Sequence, residues 1–238
     1  INRERQNPVS GLKSIFLQDV VVPFNEGNAN SFTIQPVWPF KVFGNWKFVT
    51  YTIVPFMSVP PLQKGSIGTS GLGNILFNGF FRPEGDPNKS FIWGIGPAIQ
   101  FPTRTDPNLG SNRVSLGPTG LLYWHTNPLS GGIVLQNYWS LGGEGSNKVN
   151  QLAAQYVVYC TLPMGWYLQS NATLTANWLA EHSDIWTIPV GGGPGRTFQI
   201  GKGKSFYSAS VQGFYNAARP EIVGAWMVIA QFQIIFGM

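Results

Sequence analysis

The sequence predicts an all-β protein, a twelve-stranded antiparallel transmembrane β-barrel in a single domain. Three observations carry that expectation: strands with one apolar and one uncharged polar face, an even strand count joined by alternately tight and longer connections, and charges kept out of strand interiors. The clearest strand is GWYLQSNATLTANW, residues 165–178. Trp166, Leu168, Ala172, Leu174, Ala176 and Trp178 fall on one face, whereas Gln169, Asn171, Thr173, Thr175 and Asn177 fall on the other. Period-two alternation of this kind marks a strand with two different solvents. Its bracketing tryptophans are separated by about 40 Å of extended chain, or about 28 Å along an axis tilted by roughly 45°. That height matches a bilayer's hydrocarbon band, and tryptophan favours the boundary between acyl chains and headgroups.

Composition agrees. Of 238 residues, 43% are hydrophobic and 11% charged, whereas an ordinary soluble domain carries about 25% charged residues. Since the sequence has no apolar run of about 18 residues, a helical membrane span is excluded and a strand-built one is left. The chain is then expected to be the mature form of an exported protein. Its single cysteine, Cys160, allows no internal disulfide and is expected to fill an apolar strand face.

Strands are predicted at 12–22, 30–42, 45–58, 70–82, 89–101, 113–125, 130–141, 149–162, 165–178, 184–200, 204–216 and 221–236. Tight turns fall at Phe43-Gly44-Asn45, Pro163-Met164-Gly165 and Gly201-Lys202-Gly203, where glycine supplies the positive φ a short reversal needs. Between them lie longer loops such as residues 59–70 and 102–112. Short turns on one rim and longer loops on the other are the outer-membrane arrangement, which places both termini in the periplasm. Residues 1–11 are expected to be a periplasmic or lumen-entering segment and residues 12–238 the barrel.

Of the 15 basic and 10 acidic residues, only Asp19 is predicted to lie well inside a strand. Lys13, Lys41, Lys47, Lys89, Arg113 and Arg196 sit toward strand ends, where a long stem reaches the interface. A water-soluble sandwich would need charges along its outward faces. The net charge of +5 is not one patch: the basic excess is expected on the periplasmic rim and the N-terminal tail, the outer rim is expected to be slightly acidic, and no basic groove interleaved with aromatics is visible, which argues against nucleic acid.

The segments SFTIQPVWPFKVFGNWKFVTYTIVPF (31–56), GLGNILFNGFFRP (71–83), WGIGPAIQFPT (93–103) and WTIPV (186–190), in this order, resemble the bacterial outer-membrane transporter family named for the meta-pathway of phenol degradation. The resemblance runs over nearly the whole chain from Asn7-Pro8 onward. It implies a monomeric twelve-stranded channel in the outer membrane of a Gram-negative bacterium, admitting small hydrophobic compounds by passive uptake. The sequence departs from the family at Tyr51 and Ile229, where basic lumen residues are expected, which implies a more apolar lumen.

Twelve strands about 4.8 Å apart and tilted by about 40° enclose a backbone cylinder of roughly 12 Å radius, wide enough for one small molecule between its side chains. From the alternation, the lumen lining is expected to include Thr33, Gln35, Tyr51, Ile53, Tyr123, Gln136, Tyr138, Gln155, Tyr159, Asn171, Thr173, Phe206, Gln212, Phe214, Met227 and Gln231. Neutral amides, hydroxyls and aromatic rings would wet an aromatic solute while attracting ions weakly. The competing expectation is that many of these side chains plug the barrel as a packed core.

Proline cannot donate to a ladder, yet Pro36, Pro39, Pro55, Pro97, Pro118, Pro189 and Pro194 all fall in predicted strands. Two groups mark candidate seams in the wall: Pro36, Pro39 and Pro55 on consecutive strands, and Pro189 and Pro194 around Gly191, Gly192 and Gly193. Either they are bulges that shape the barrel, or one seam opens sideways. His125 and His182 lie at opposite strand ends, so no metal site and no cofactor are expected. His182, Ser183 and Asp184 prompt a second hypothesis, a barrel hydrolase acting on lipid, but adjacency in sequence does not orient nucleophile, base and third group. A soluble all-β binding protein is the remaining alternative. The partners expected are outer-membrane lipids and small hydrophobic solutes.

Overall fold

The structure, a computed structural model, describes residues 13–24, 27–61, 67–84, 90–142, 148–201 and 204–237. The proposed N-terminal segment 1–11 lies outside the described residues. Thirteen strand segments follow in chain order: β1 Ser14–Phe24, β2 Gly27–Lys41, β3 Trp46–Val59, β4 Thr69–Leu72, β5 Ile75–Pro83, β6 Phe91–Phe101, β7 Val114–His125, β8 Leu129–Gly142, β9 Asn150–Thr161, β10 Trp166–Asn177, β11 Trp186–Phe198, β12 Phe206–Ala218 and β13 Trp226–Ile235. Apart from β4 and β5, consecutive segments pair antiparallel, and β1 pairs with β13, so the sheet closes on itself. The segments β4 and β5 share one place in the wall beside β3. The result is the expected twelve-stranded barrel.

The predicted strand 70–82 is broken for a physical reason. Phe56 pairs with Leu72 but Ile53 with Leu76, so Gly73 and Asn74 form a bulge with one extra residue. Gly73 N–H donates to Pro55 O at 2.9 Å, and the Thr103 hydroxyl donates to Gly73 O while accepting from Ile75 N–H, each at 2.9 Å. The last strand starts at Trp226 rather than at 221, because Val223 N–H donates to Pro220 O in a turn.

The outer wall is what water would not tolerate. Along β6, Phe91, Trp93 and Ile95 are exposed in alternation; Leu116 and Leu122 on β7, Leu135 and Trp139 on β8, and Val211 and Tyr215 on β12 continue the belt. Monomers in water rarely show so broad an apolar band. Aromatic pairs mark both edges: Trp46 with Trp93 at 6.0 Å on the rim that carries the termini, and Trp178 with Trp186 at 5.4 Å on the opposite rim. Such girdles flank the lipid band of membrane barrels. Charges near the wall follow the expected rule, with Lys13 over Trp38 and Arg196 over Trp166. At the same rim Lys47 pairs with Glu84 at 2.7 Å and holds that carboxyl below the usual carboxylate range. The exception is Asp19, mid-strand on the outward face, where Asn30 donates to its carboxylate at 2.7 Å.

Candidate functional site

Inside the half of the barrel nearer the termini, apolar side chains meet across the axis. Phe16, Val37, Val49, Tyr51, Phe80, Leu121 and Val134 form one buried cluster, with Tyr123, Val157, Tyr159 and Tyr167 beside it. Phe80, Val37 and Val49 have no exposed surface. Among the described residues this half is a packed plug, which corrects the expectation of a lumen lined chiefly by amides, hydroxyls and aromatic rings throughout. Alternation reveals a face and not its solvent. Strands β2 and β3 carry apolar residues on both faces in this half, so their patterning cannot separate plug from lipid wall.

The half toward the long loops holds a cavity of about 420 Å³. Of the predicted lining, Thr33, Gln35, Tyr51, Ile53, Gln136, Tyr138, Gln155 and Thr173 border it. The other eight, Tyr123, Tyr159, Asn171, Phe206, Gln212, Phe214, Met227 and Gln231, lie on inward positions of their strands but do not border this cavity. Tyr159 and Gln231 instead border a void of about 10 Å³ deeper in the barrel, and Phe214 and Met227 pack with Ile229 and Val20. Further carboxamides from Gln18, Asn74, Gln100 and Gln151 complete a vestibule whose lining, among the described residues, contains no charged side chain.

Hydrogen bonds hold these amides in place. Tyr51 Oη donates to Gln35 Oε1 at 2.8 Å, Gln35 Nε2 to Thr33 Oγ1 at 2.7 Å, and Thr33 Oγ1 to Gln18 O at 3.3 Å. On the opposite wall Gln155 Nε2 donates to Asn171 Oδ1 at 3.2 Å. Gln136 Oε1 differs, being buried without a hydrogen-bond partner among the described residues. Val134, the next inward residue of β8, already belongs to the plug, so Gln136 stands at the vestibule floor.

Loop 102–113 narrows the mouth, which its composition did not reveal. Arg104 gathers the loop by donating to Pro107 O at 2.5 Å and Gly110 O at 2.8 Å. Asn74, displaced from the ladder by the bulge, donates to Ser111 O at 2.8 Å and accepts from Arg104 N–H at 3.3 Å. Leu109 is thereby buried against the cavity.

The seam prolines have different fates. Between β2 and β3 the ladder misses only Gln35-Pro36 opposite Thr52-Ile53; Pro39 is paired with Val49 and Pro55 with Thr33. Between β10 and β11 pairing stops from Ser170 to Leu174, opposite Ile188 to Gly192, while Gly193 and Pro194 are paired with Gln169 and Leu168. A Cβ on Gly191 would lie 2.1 Å from Gly213 O, and one on Gly193 2.0 Å from Val211 O, so β12 approaches too closely for any other residue. Side chains answer the orphaned backbone: Tyr156 Oη donates to Pro189 O at 2.9 Å, Ser170 Oγ to Gly191 O at 2.6 Å, and Asn171 N–H to Gln212 Oε1 at 2.9 Å. Ala172 and Phe214 share one buried cluster across this thin wall. Tyr156→Phe leaves Pro189 O without its donor in an apolar setting, so folding stability in bilayers is expected to fall by about 1–3 kcal/mol. A urea titration showing no loss would mean that the phenol does not seal the break.

His182, Ser183 and Asp184 form one short 3-10 turn beyond β10, and their side chains belong to three consecutive residues. Among the described residues no group of three His, Cys, Asp or Glu could hold a metal ion.

The barrel has solved counterparts. An outer membrane channel from Pseudomonas putida F1 aligns with 99% of this chain and 100% of its own at a TM-score of 0.68 and 12% identity. The NanC porin aligns over 94% of this chain and 100% of its own, with a TM-score of 0.56 and 9% identity. These likenesses establish the architecture that both share with this chain. No family model matches the sequence, and no curated protein matches it.

Proposed function

We propose that the chain is an outer-membrane channel for passive uptake of small hydrophobic molecules, monoaromatic ones included, and not an enzyme. The observation that carries the proposal is the vestibule: about 420 Å³ in the half toward the long loops, with no charged side chain among its described lining residues and with the packed plug on its terminal side. Removing an ion from water costs far more than neutral amides return, whereas an uncharged ring loses little and gains Tyr51, Tyr138, Ile53 and Leu76 as neighbours. The predicted lining residues outside the vestibule would border the path only if the plug rearranges. Membership of the phenol meta-pathway transporter family, the monomeric state, outer-membrane lipids as surrounding partners and a periplasmic position for the termini belong to the same proposal. The Pseudomonas putida F1 counterpart is an outer membrane channel, which is consistent with it.

The test compares cells with and without the protein for uptake of a labelled monoaromatic compound, beside swelling of protein-bearing liposomes in sugars. Faster aromatic uptake with slow sugar swelling is expected. Swelling as rapid as through a general porin, or aromatic uptake equal with and without the protein, would overturn the reading.

A further inference from the structure

The plug leaves a solute on the vestibule floor with nowhere to go along the axis unless the core repacks. The wall beside that floor has an unusual build. Strands β6 and β7 are paired through Pro97 opposite Pro118, two residues without an N–H. On either side of this pair the ladder is interrupted: Gly79 and Phe80 do not pair with Gly96 and Pro97, and Gly117 and Pro118 do not pair with Asn137 and Tyr138. Closely approaching backbones at both breaks keep side chains out. A Cβ on Gly96 would stand 1.9 Å from Gly79 O, and one on Gly117 1.6 Å from Asn137 O.

Outside these strands lies a groove of about 830 Å³. Trp46, Phe81, Trp93 and Ile95 form one bank, and Leu135 and Leu152 the other. Its floor includes Pro118 and Gly120, but also Gly96, Thr119 and Gln136. Those last three are inward positions of their strands, so the groove comes down to the wall's own backbone there. Gln136 also lines the vestibule. Gln136 is therefore the described residue that borders both the internal cavity and the lipid-facing groove, and its Oε1 is buried without a hydrogen-bond partner among the described residues.

We propose that Gln136 is a shutter at the β7–β8 break, through which a neutral apolar solute passes sideways from the vestibule into the membrane. This rests on the uptake reading above and adds the exit to it. The observations favour this break over the β10–β11 seam, whose unpaired carbonyls are tied by Tyr156 and Ser170 and whose gap is packed by Ala172 and Phe214. Passage requires the close backbones at the break to part as Gln136 swings aside, which costs less than doing so while also breaking such ties, and the apolar groove beyond offers the solute a surface like the lipid it enters.

Two sets of variants test the proposal in intact bacteria, read by the rate at which 1-N-phenylnaphthylamine fluorescence rises in the outer membrane. Gln136→Trp should cut the protein-dependent rate by about tenfold and Gln136→Ala should raise it, as expected for a constriction that gates passage. In the second set Cys160→Ala carries the pair Pro118→Cys and Asn137→Cys, which face each other across the break. Oxidation should slow uptake and reductant restore it, whereas bridging Val211→Cys to Ala230→Cys on the paired β12–β13 wall should leave the rate unchanged. A wild-type protein no faster than no protein would reject the uptake reading itself. With wild-type uptake established, a bridged break that still passes the probe at full rate overturns the shutter. So do Gln136 variants that both keep the wild-type rate, whether or not the bridge forms.

Discussion

Leu174→Arg should prevent or severely weaken insertion, while Thr173→Arg one residue away should fold. Leu174 sits on the even, outward set of β10 in the middle of the strand between Trp166 and Trp178, whereas Thr173 opens onto the vestibule. A guanidinium held against acyl chains near the bilayer midplane costs about 2–4 kcal/mol, while one in a wet cavity keeps most of its solvation. Folding into bilayers from urea, followed by the mobility shift of the folded barrel, measures both. Thr173→Arg should also place a fixed charge in the vestibule and slow apolar uptake. Equal folding losses for the two variants would mean that the assigned faces are wrong.

Phe80→Ala should be the costliest substitution inside the barrel. Its ring has no exposed surface and lies in the buried cluster with Phe16, Val37, Val49 and Leu121. Deleting a buried aromatic ring removes its transfer free energy and leaves a cavity, at a cost of about 3–5 kcal/mol. Here the cavity would also thin the layer separating vestibule from terminal rim, so ionic conductance should rise from a small value to a clearly resolved one. Guanidinium unfolding and single-channel recording check the two parts separately. A destabilised barrel with unchanged conductance would show that the remaining plug residues close the axis without Phe80.

How far the sequence alone reached depends on how local each feature is. Alternation along β10, glycine-marked turns and rim-bound charges are properties of neighbouring residues, so the twelve strands and their facing were legible to within a few positions. A plug was one of two readings of the interior, but its residues were not legible, because Val37, Val49 and Phe80 look the same in sequence whether they meet lipid or one another across the axis. The bulge at Gly73-Asn74 follows from a register mismatch with β3, and the buried place of Leu109 follows from Asn74 reaching loop 102–113; both need partners distant in the chain. The prolines did signal ladder breaks, but their sequence grouping singled out the β2–β3 and β10–β11 strands. The break that meets an outer groove lies beside Pro118, whose partner Pro97 is visible only once β6 and β7 are paired.

The central claim is that an uncharged apolar molecule is held in the vestibule on its way through the outer membrane. A crystal of the protein soaked with a brominated monoaromatic compound tests it most directly, since bromine reports its own position by anomalous scattering. The account requires bromine density in the cavity bounded by Gln35, Tyr51, Gln136 and Tyr138, above a closed plug. Full occupancy confined to the lipid-facing wall, with an empty vestibule at a concentration that supports uptake, would contradict it.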